Sequence, residues 1–210
     1  MRPYVTIKFA QSLDGKIAAG RGRRSRISSP AALRFAHKLR AKHDAVLVGA
    51  GTVRSDNPRL TTRLVKGKNP ARIILDSRLR TSPVPGTRVV ANAGRERVFI
   101  FTTKKAPKTK ARALEARGAE VIKVPASKTG NIDLPQILRI LYKKGIKKLL
   151  VEGGSEIITS FIKERLADRV MVIIAPVIFA KGVPAAKIPA RFTLKKVKKF
   201  GKDIVCEFIP

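Results

Sequence analysis

Three stretches of this chain put glycine and polar residues directly behind apolar runs, where a site can form. Glu152-Gly153-Gly154-Ser155-Glu156 follows a run ending at Val151, Gly49–Arg63 (GAGTVRSDNPRLTTR) follows Asp44–Val48, and Asp76–Gly86 (DSRLRTSPVPG) follows Arg72–Leu75. Each reads as a buried strand opening into a loop. A Gly-Gly pair between strand and helix lets backbone N–H groups approach an anion, and the helix start adds its dipole. Glu156 then falls in the first turn, where that dipole stabilises a carboxylate. A tight turn with a helix-start acid and no ligand fits the same letters, and GGS alone does not separate the two. Glu152, at the strand end, is expected to face the cleft rather than the core.

The Gly49–Arg63 loop offers Arg59 and Arg63 beside Leu60, a set suited to a phosphate next to an apolar ring face. Gly49 and Gly51 equally suit the end of a strand, with Thr52 capping a short helix. Asp56-Asn57-Pro58 is a turn sequence. Arg40, on the preceding helix, is either a third cation for the same anion or a solvated helix residue. Gly20–Arg26 (GRGRRSR) reads first as a solvated loop and second as an anion contact. Asp14 and Lys16 read as a structural turn around Gly15.

Other chemistries are missing. Cys206 is the single cysteine, which excludes an intrachain disulfide and a Cys-based zinc site. His37 and His43 are six apart, the wrong spacing for a shared metal on one helix, so no metal is expected. Neither histidine lies near a nucleophile-like turn, and no Gly-Lys-Ser/Thr follows the Gly-Gly pair. The charge is extreme, 46 Lys+Arg against 14 Asp+Glu for a net +32. It invites nucleic-acid binding. However, the basic residues run along the whole chain, aromatics are 5% and Trp is absent, so few bases could be stacked. The charge is read as a Lys-rich surface that concentrates small anions, without a specific nucleic-acid partner. The N-terminus reads as a strand, not a signal peptide, and no apolar run spans a membrane. A soluble cytoplasmic protein is expected.

The elements that must hold these loops alternate between the two types. Strands are expected at Tyr4–Gln11, Asp44–Ala50, Ala71–Asp76, Arg97–Thr102, Glu120–Val124, Lys147–Val151 and Arg169–Ile174. Helices are expected from Pro30 to about Lys42, with Leu33, Ala36, His37 and Arg40 on one face, and over Lys108–Arg117, Leu134–Lys143 and Ser155–Arg165. Phe192–Lys198 and Asp203–Ile209 read as a closing antiparallel hairpin. The pattern predicts one α/β domain over residues 1–210, a mostly parallel sheet flanked by helices, with ligands at the carboxyl ends of the strands.

SLDGKIA, SRIS, HKLRAKHDAVLVGAGTVRSDNPRLTTR, RIILDSRLRTSP, LLVEGGSEIITSFI and DRVMVIIAPVIFAKG occur in the order seen in riboflavin-biosynthesis reductases. The chain most resembles their stand-alone archaeal and fungal type, the 2,5-diamino-6-(ribosylamino)-4(3H)-pyrimidinone 5′-phosphate reductases. The resemblance runs from about Tyr4 to Gly182. It implies a dihydrofolate-reductase-like fold, a homodimer, and NADPH as hydride donor with NADH as the alternative. It also implies reduction of the ribosylamino side chain to a ribitylamino one, with hydride passing to C1′ of the ring-opened imine. By motif, Thr52 and Asp56 resemble a cofactor-contacting pair. Gly153, Gly154 and Ser155 resemble the pyrophosphate turn, and Ser77 and Arg78 resemble residues near the adenosine 2′-phosphate, which Arg80 could also meet. Ser25, Arg40, Leu60 and Arg63 resemble substrate and phosphate contacts. Glu152 resembles a substrate-contacting carboxylate, and its place beside the cofactor turn makes it the expected acid that protonates the imine. The zinc deaminase fused to bacterial relatives has no counterpart here, which favours the substrate that is not yet deaminated. A dihydrofolate or pteridine reductase of the same fold is the nearest alternative, and a basic nucleic-acid-binding protein the more distant one.

Overall fold

The computed structural model describes residues 1–210 other than 21, 23, 24, 26, 82, 84, 85 and 127–131. In chain order the elements are β1 (Tyr4–Gln11), β2 (Lys16–Ala18), α1 (Pro30–Ala41), β3 (Ala45–Gly49), α2 (Ala50–Asp56), β4 (Ala71–Leu75), β5 (Val98–Thr102), α3 (Lys108–Glu115), β6 (Glu120–Lys123), α4 (Leu134–Lys143), β7 (Lys148–Val151), α5 (Ser155–Lys163), β8 (Arg169–Ile174), β9 (Val183–Pro184), β10 (Thr193–Phe200) and β11 (Asp203–Ile209). The strands of the main sheet lie in the order β10-β11-β8-β1-β7-β3-β4-β5-β6. From β8 to β6 all neighbours are parallel. The β10–β11 hairpin adds two antiparallel strands at the β8 edge, as the sequence led us to expect.

The sheet is covered on both faces, so its inner strands are apolar on both sides. Val5, Ile7, Leu47, Ile73 and Phe99 face α4 and α5, through Ile137, Leu141, Ile158 and Phe161. Val46, Val48, Ile74 and Ile100 face the opposite layer, with Ala32 and Leu39 of α1 and Leu114 of α3. The helix starts follow local rules. Ser29 Oγ accepts the Ala32 N–H at 3.3 Å to cap α1, and Asp133 accepts the Gln136 N–H at 2.9 Å to cap α4. In contrast, α5 begins at Gly154 with no side-chain cap.

Helix α1 turns differently from expectation. Ala32, Ala36 and Leu39, spaced four and three apart, set its buried face together with His37, while Leu33 is exposed. Its start is held by the hairpin turn. The Ser29 N–H donates to Asp203 Oδ2 at 2.6 Å, and the Phe35 and Phe200 rings lie 4.7 Å apart. The loop after β3 coils into a short helix, α2, as one of its two readings had it, but with Gly49 as its cap and Thr52 inside it rather than at its start. One feature was not anticipated. β2 and β9 pair as a separate two-stranded sheet. That pairing needs glycine at 182, where φ is +155° and an added Cβ would sit 2.3 Å from the Ala18 carbonyl oxygen.

Arg72 is buried within β4. Its guanidinium donates to the carbonyls of Val89 at 2.8 Å, Ala91 at 3.0 Å and Arg88 at 3.2 Å, and pairs with Glu96. One side chain therefore holds the irregular segment before β5. Arg72→Met is expected to destabilise the fold by about 3–5 kcal/mol, because it strands Glu96 and buried carbonyls rather than removing the whole pair. Urea unfolding checks this.

Candidate active site

The loops after β3, β4 and β7 meet the β2–β9 sheet around an open cleft of about 1280 Å³. Thr52, Asp56, Ser77, Arg78, Gly154 and Ser155 all line it, so the structure gathers six of the seven residues expected for the cofactor. The loops are tied together. The Glu152 N–H continues the β7–β3 ladder to the Leu47 carbonyl at 2.9 Å, and the Gly154 N–H donates to Thr52 Oγ1 at 3.0 Å. Thr52 accepts there, which leaves its own hydroxyl hydrogen for a ligand. At the start of α5 the Ser155 hydroxyl is buried and has no partner among the described residues. The first backbone N–H groups of a helix also lack intrahelical acceptors. An anion such as a pyrophosphate would satisfy both, so the residues present fit a dinucleotide.

Gly153, the seventh, does not line the cleft. A Cβ on it would lie 2.6 Å from Ile157 Cβ, and one on Gly49 would lie 2.8 Å from Ile157 Cγ1. The ends of β3 and β7 thus close onto the first turn of α5, and Gly153 serves that approach.

The turn after β4 is fixed from several sides. The Ser77 carbonyl accepts from the hydroxyls of Thr102 at 3.2 Å and Thr103 at 2.8 Å. Leu79 is fully buried with φ +48°, between exposed Arg78 and Arg80. Those two arginines, with Arg54, Lys105 and Lys187, are the described basic residues that line the cleft.

Glu152 points the other way. Its carboxylate takes a bidentate contact from Arg40, Nε to Oε1 at 2.7 Å and Nη2 to Oε2 at 2.8 Å, with Lys8 Nζ 4.0 Å from Oε2. Arg40 Nη1 also donates to the Thr61 carbonyl at 3.2 Å. The three side chains are only 9–12% exposed. The expectation that Glu152 faces the open cleft is therefore corrected: it lies beneath α1 on the face of the sheet opposite α5. Burial alone would raise its pKa, but Arg40 and Lys8 outweigh that and hold the carboxyl at about 2. The proton-donor expectation does not fit an ionised carboxylate. Burial, reinforced by Arg40 and opposed by Glu152, lowers the Lys8 amine, so Lys8 is the group of this cluster whose proton is loosened.

Lys8 was missed because Thr6, Lys8 and Ala10 read as the wet side of an alternating strand. β1 pairs on both edges, with β7 and β8, and helices cover both faces of that sheet. A lysine in the middle of such a strand cannot reach water freely, and its presence there was the signal.

The other expected substrate residues divide. Leu60 is buried with φ +56°, and Arg63 follows it on the exposed loop within charge range of His37. Ser25 accepts the Ala19 N–H at 3.0 Å and lines the cleft, so it belongs to the other wall. Arg21, Arg23, Arg24 and Arg26 of the basic loop lie outside the described residues. Glu156 stands exposed in the first turn of α5, paired with Lys187. No helix among the described residues is long and apolar enough to cross a membrane.

His37, fully buried, is pushed down to about 4 by burial first and then by Arg40 and Arg63. A depressed folded pKa means that the unfolded chain binds the proton more readily. The His37 contribution is complete above about pH 6.5 and is lost as pH falls toward about 4, and the Glu152 contribution follows between 4.5 and about 2. Stability is therefore expected to fall steadily below pH 6.5, and the urea midpoint measured from pH 7 to 3 checks it.

Comparison with known proteins agrees with this geometry. Residues 3–206 match the model of the RibD C-terminal domain. A 2,5-diamino-6-ribosylamino-4(3H)-pyrimidinone 5′-phosphate reductase of Aquifex aeolicus (strain VF5) is 41% identical over 181 residues, covering 84% of this chain and 78% of that one. The crystal structure of a diaminohydroxyphosphoribosylaminopyrimidine deaminase/5-amino-6-(5-phosphoribosylamino)uracil reductase from Thermotoga maritima is 36% identical, with TM-score 0.78. The match covers 100% of this chain and 57% of the Thermotoga chain. A dihydrofolate reductase from Enterococcus faecalis, solved with NADP(H), shares 13% identity at TM-score 0.55, over 98% of this chain and 95% of its own. That likeness establishes the dihydrofolate-reductase-like fold alone. With the family match running from before β1 into β11, the chain belongs to the RibD C-terminal domain family.

Proposed function

We propose that this chain reduces 2,5-diamino-6-(ribosylamino)-4(3H)-pyrimidinone 5′-phosphate to its ribitylamino form in riboflavin biosynthesis, with NADPH. The observation that carries the reading is the turn Glu152–Ser155. It begins in a buried cation cluster and ends, three residues later, at the anion cradle of the cleft. One turn thereby joins a place for a sugar phosphate to a place for a dinucleotide.

The nicotinamide, when bound, supplies the hydride to C1′ of the opened sugar. The chain's residues do the rest. Opening the ribosyl ring forms the imine and puts a proton on the ring oxygen. Reduction then adds hydride to C1′ and a proton to the imine nitrogen, so one proton is consumed overall. Lys8 holds that proton, and ionised Glu152 fixes Lys8 and Arg40 and keeps the amine charged until it is needed. Arg40 and Arg63 face the phosphate, Leu60 backs the ring, and Ser25 closes the wall toward the cleft. Gly154, Ser155 and Thr52 take the pyrophosphate, with Asp56 further along α2.

The preference for NADPH over NADH rests on Arg78, Arg80 and Lys105, which meet the 2′-phosphate beside Ser77. Replacing Arg78 and Arg80 together by Ala is expected to raise the KM for NADPH about 10–100-fold and leave that for NADH within threefold, the loss of one or two charge-assisted contacts. Initial rates with both cofactors check it. We also propose a homodimer. β10 is an edge strand in which Leu194 and Val197 are each more than half exposed, and a sedimentation mass near the 23.0 kDa of one chain would refute it. Turnover assays with the ribosylaminopyrimidinone phosphate and with dihydrofolate test the function itself. Oxidation of NADPH by the first substrate only is expected, and turnover of dihydrofolate alone would replace this reading with the alternative one.

A further inference from the structure

Two histidines sit on or just beyond α1, and they are not alike. His43 is satisfied at both ring nitrogens, Nδ1 against the Leu39 carbonyl at 2.6 Å and Nε2 against Thr6 Oγ1 at 3.1 Å. It is a structural histidine between α1 and β1. His37 is fully buried, yet only one of its nitrogens is used. Nδ1 accepts the Leu64 N–H at 3.4 Å, and Nε2 has no partner among the described residues. Since Nδ1 accepts, the proton of the neutral ring is on Nε2. A buried N–H left without an acceptor has lost its hydration with nothing in return. A fold that satisfies His43 completely and tolerates this at His37 has a reason at His37.

The surroundings supply the reason. His37 precedes Arg40 by one turn of α1 and lies within charge range of Arg40, Arg63, Lys8 and Glu152. The cations near the ring outnumber the carboxylate, which suits a phosphate monoester. A further hydrogen-bond donor is still needed, because the phosphate carries three terminal oxygens. An uncharged imidazole N–H supplies directionality without excess charge. We propose that His37 is a positioning donor of the substrate pocket, its Nε2–H reserved for an acceptor oxygen of the bound sugar phosphate. This rests on the reading of the Lys8–Arg40–Glu152 pocket as the substrate's.

Ribose 5-phosphate is the probe, since it carries the sugar and phosphate acceptors without the base. With NADPH-saturated enzyme, His37→Phe is expected to bind the probe about tenfold more weakly by calorimetry, the loss of about one hydrogen bond to a charged group. The KM for the full substrate rises by a similar factor, with kcat and NADPH affinity changed far less. His37→Gln, which returns an N–H at similar reach, recovers most of the loss. A Phe variant that binds the probe as tightly as the unsubstituted protein overturns the proposal. The unsubstituted protein offers a second measurement that needs no variant. With ring-labelled histidine, the His37 Nε2–H resonance shifts when ribose 5-phosphate is added, and an unchanged resonance at saturation overturns the proposal as well. If ribose 5-phosphate does not bind the unsubstituted protein at all, the pocket reading fails and takes this proposal with it, whereas equal binding by the Phe variant removes the role of His37 alone.

Discussion

Glu152→Gln is expected to slow single-turnover hydride transfer by about 10²–10⁴-fold while leaving the Kd for NADPH within about twofold. The change keeps the shape of the side chain and removes its charge. Arg40 and Lys8 then remain beneath α1 with no carboxylate between them. A buried pair broken on one side costs about 3–5 kcal/mol, so the variant should also unfold at lower urea. Lys8 loses its charged partner and keeps its charged neighbour, Arg40. Its amine should release its proton at lower pH, and the alkaline limb of the pH–rate profile should move down. That last readout separates charge from shape. A variant that is merely loosened would lose rate at every pH alike. Stopped-flow fluorescence of NADPH across pH 6–10 makes the measurement, and a profile with unchanged limbs would remove Glu152 from the proton's path.

Gly153→Ala is expected to act at the opposite end of the same turn. Its new methyl would lie 2.6 Å from Ile157 Cβ, an atom fixed to the backbone of α5, so either the turn or the helix must shift. Gly154, whose N–H ties the turn to Thr52, and Ser155, which carries the buried hydroxyl of the anion cradle, follow at once in the chain. An overpacked contact of this kind costs about 1–3 kcal/mol. Because the strain falls on the cradle, the loss should appear mainly as a 10–100-fold weaker Kd for NADPH, by the usual conversion of about 1.4 kcal/mol to tenfold. Gly51 is the control. It lines the same cleft, and a Cβ there meets no protein atom within 4 Å. Titration of NADPH fluorescence distinguishes the two. If Gly51→Ala weakens binding and Gly153→Ala does not, the glycine at 153 is not needed for its approach to Ile157.

The architecture was legible because its signals are local. Short apolar runs ending in Gly or Asp marked β3 and β4, an apolar run before the Gly-Gly pair marked β7, and Pro30 marked the start of α1. The cleft was legible for a related reason. The segments leaving the carboxyl ends of parallel strands must converge, and Thr52, Asp56, Ser77, Arg78, Gly154 and Ser155 all stand in such segments, in loops or in the helices that follow them. What the letters did not show was direction and depth. Glu152 sits one residue past the strand and could turn either way, and the choice is made by Arg40, 112 positions earlier in the chain. Lys8 looked solvated because alternation says which residues share a face and not whether a helix covers that face. The β2–β9 pair escaped notice because three residues and two residues carry no periodicity. Their pairing rests on one glycine, Gly182, whose need for a positive φ shows only in three dimensions.

The proposed hydride transfer runs from a cofactor held at Gly154–Ser155 to a substrate held beside Lys8, Arg40 and Glu152. The most direct test is a single turnover with NADPH carrying deuterium at nicotinamide C4, followed by NMR of the ribitylamino product. Product with one deuterium at C1′ is expected when the transferred face is labelled, and none when the opposite face is. Product that forms without deuterium from either labelled cofactor, or no product from folded enzyme with both ligands saturating, would contradict it.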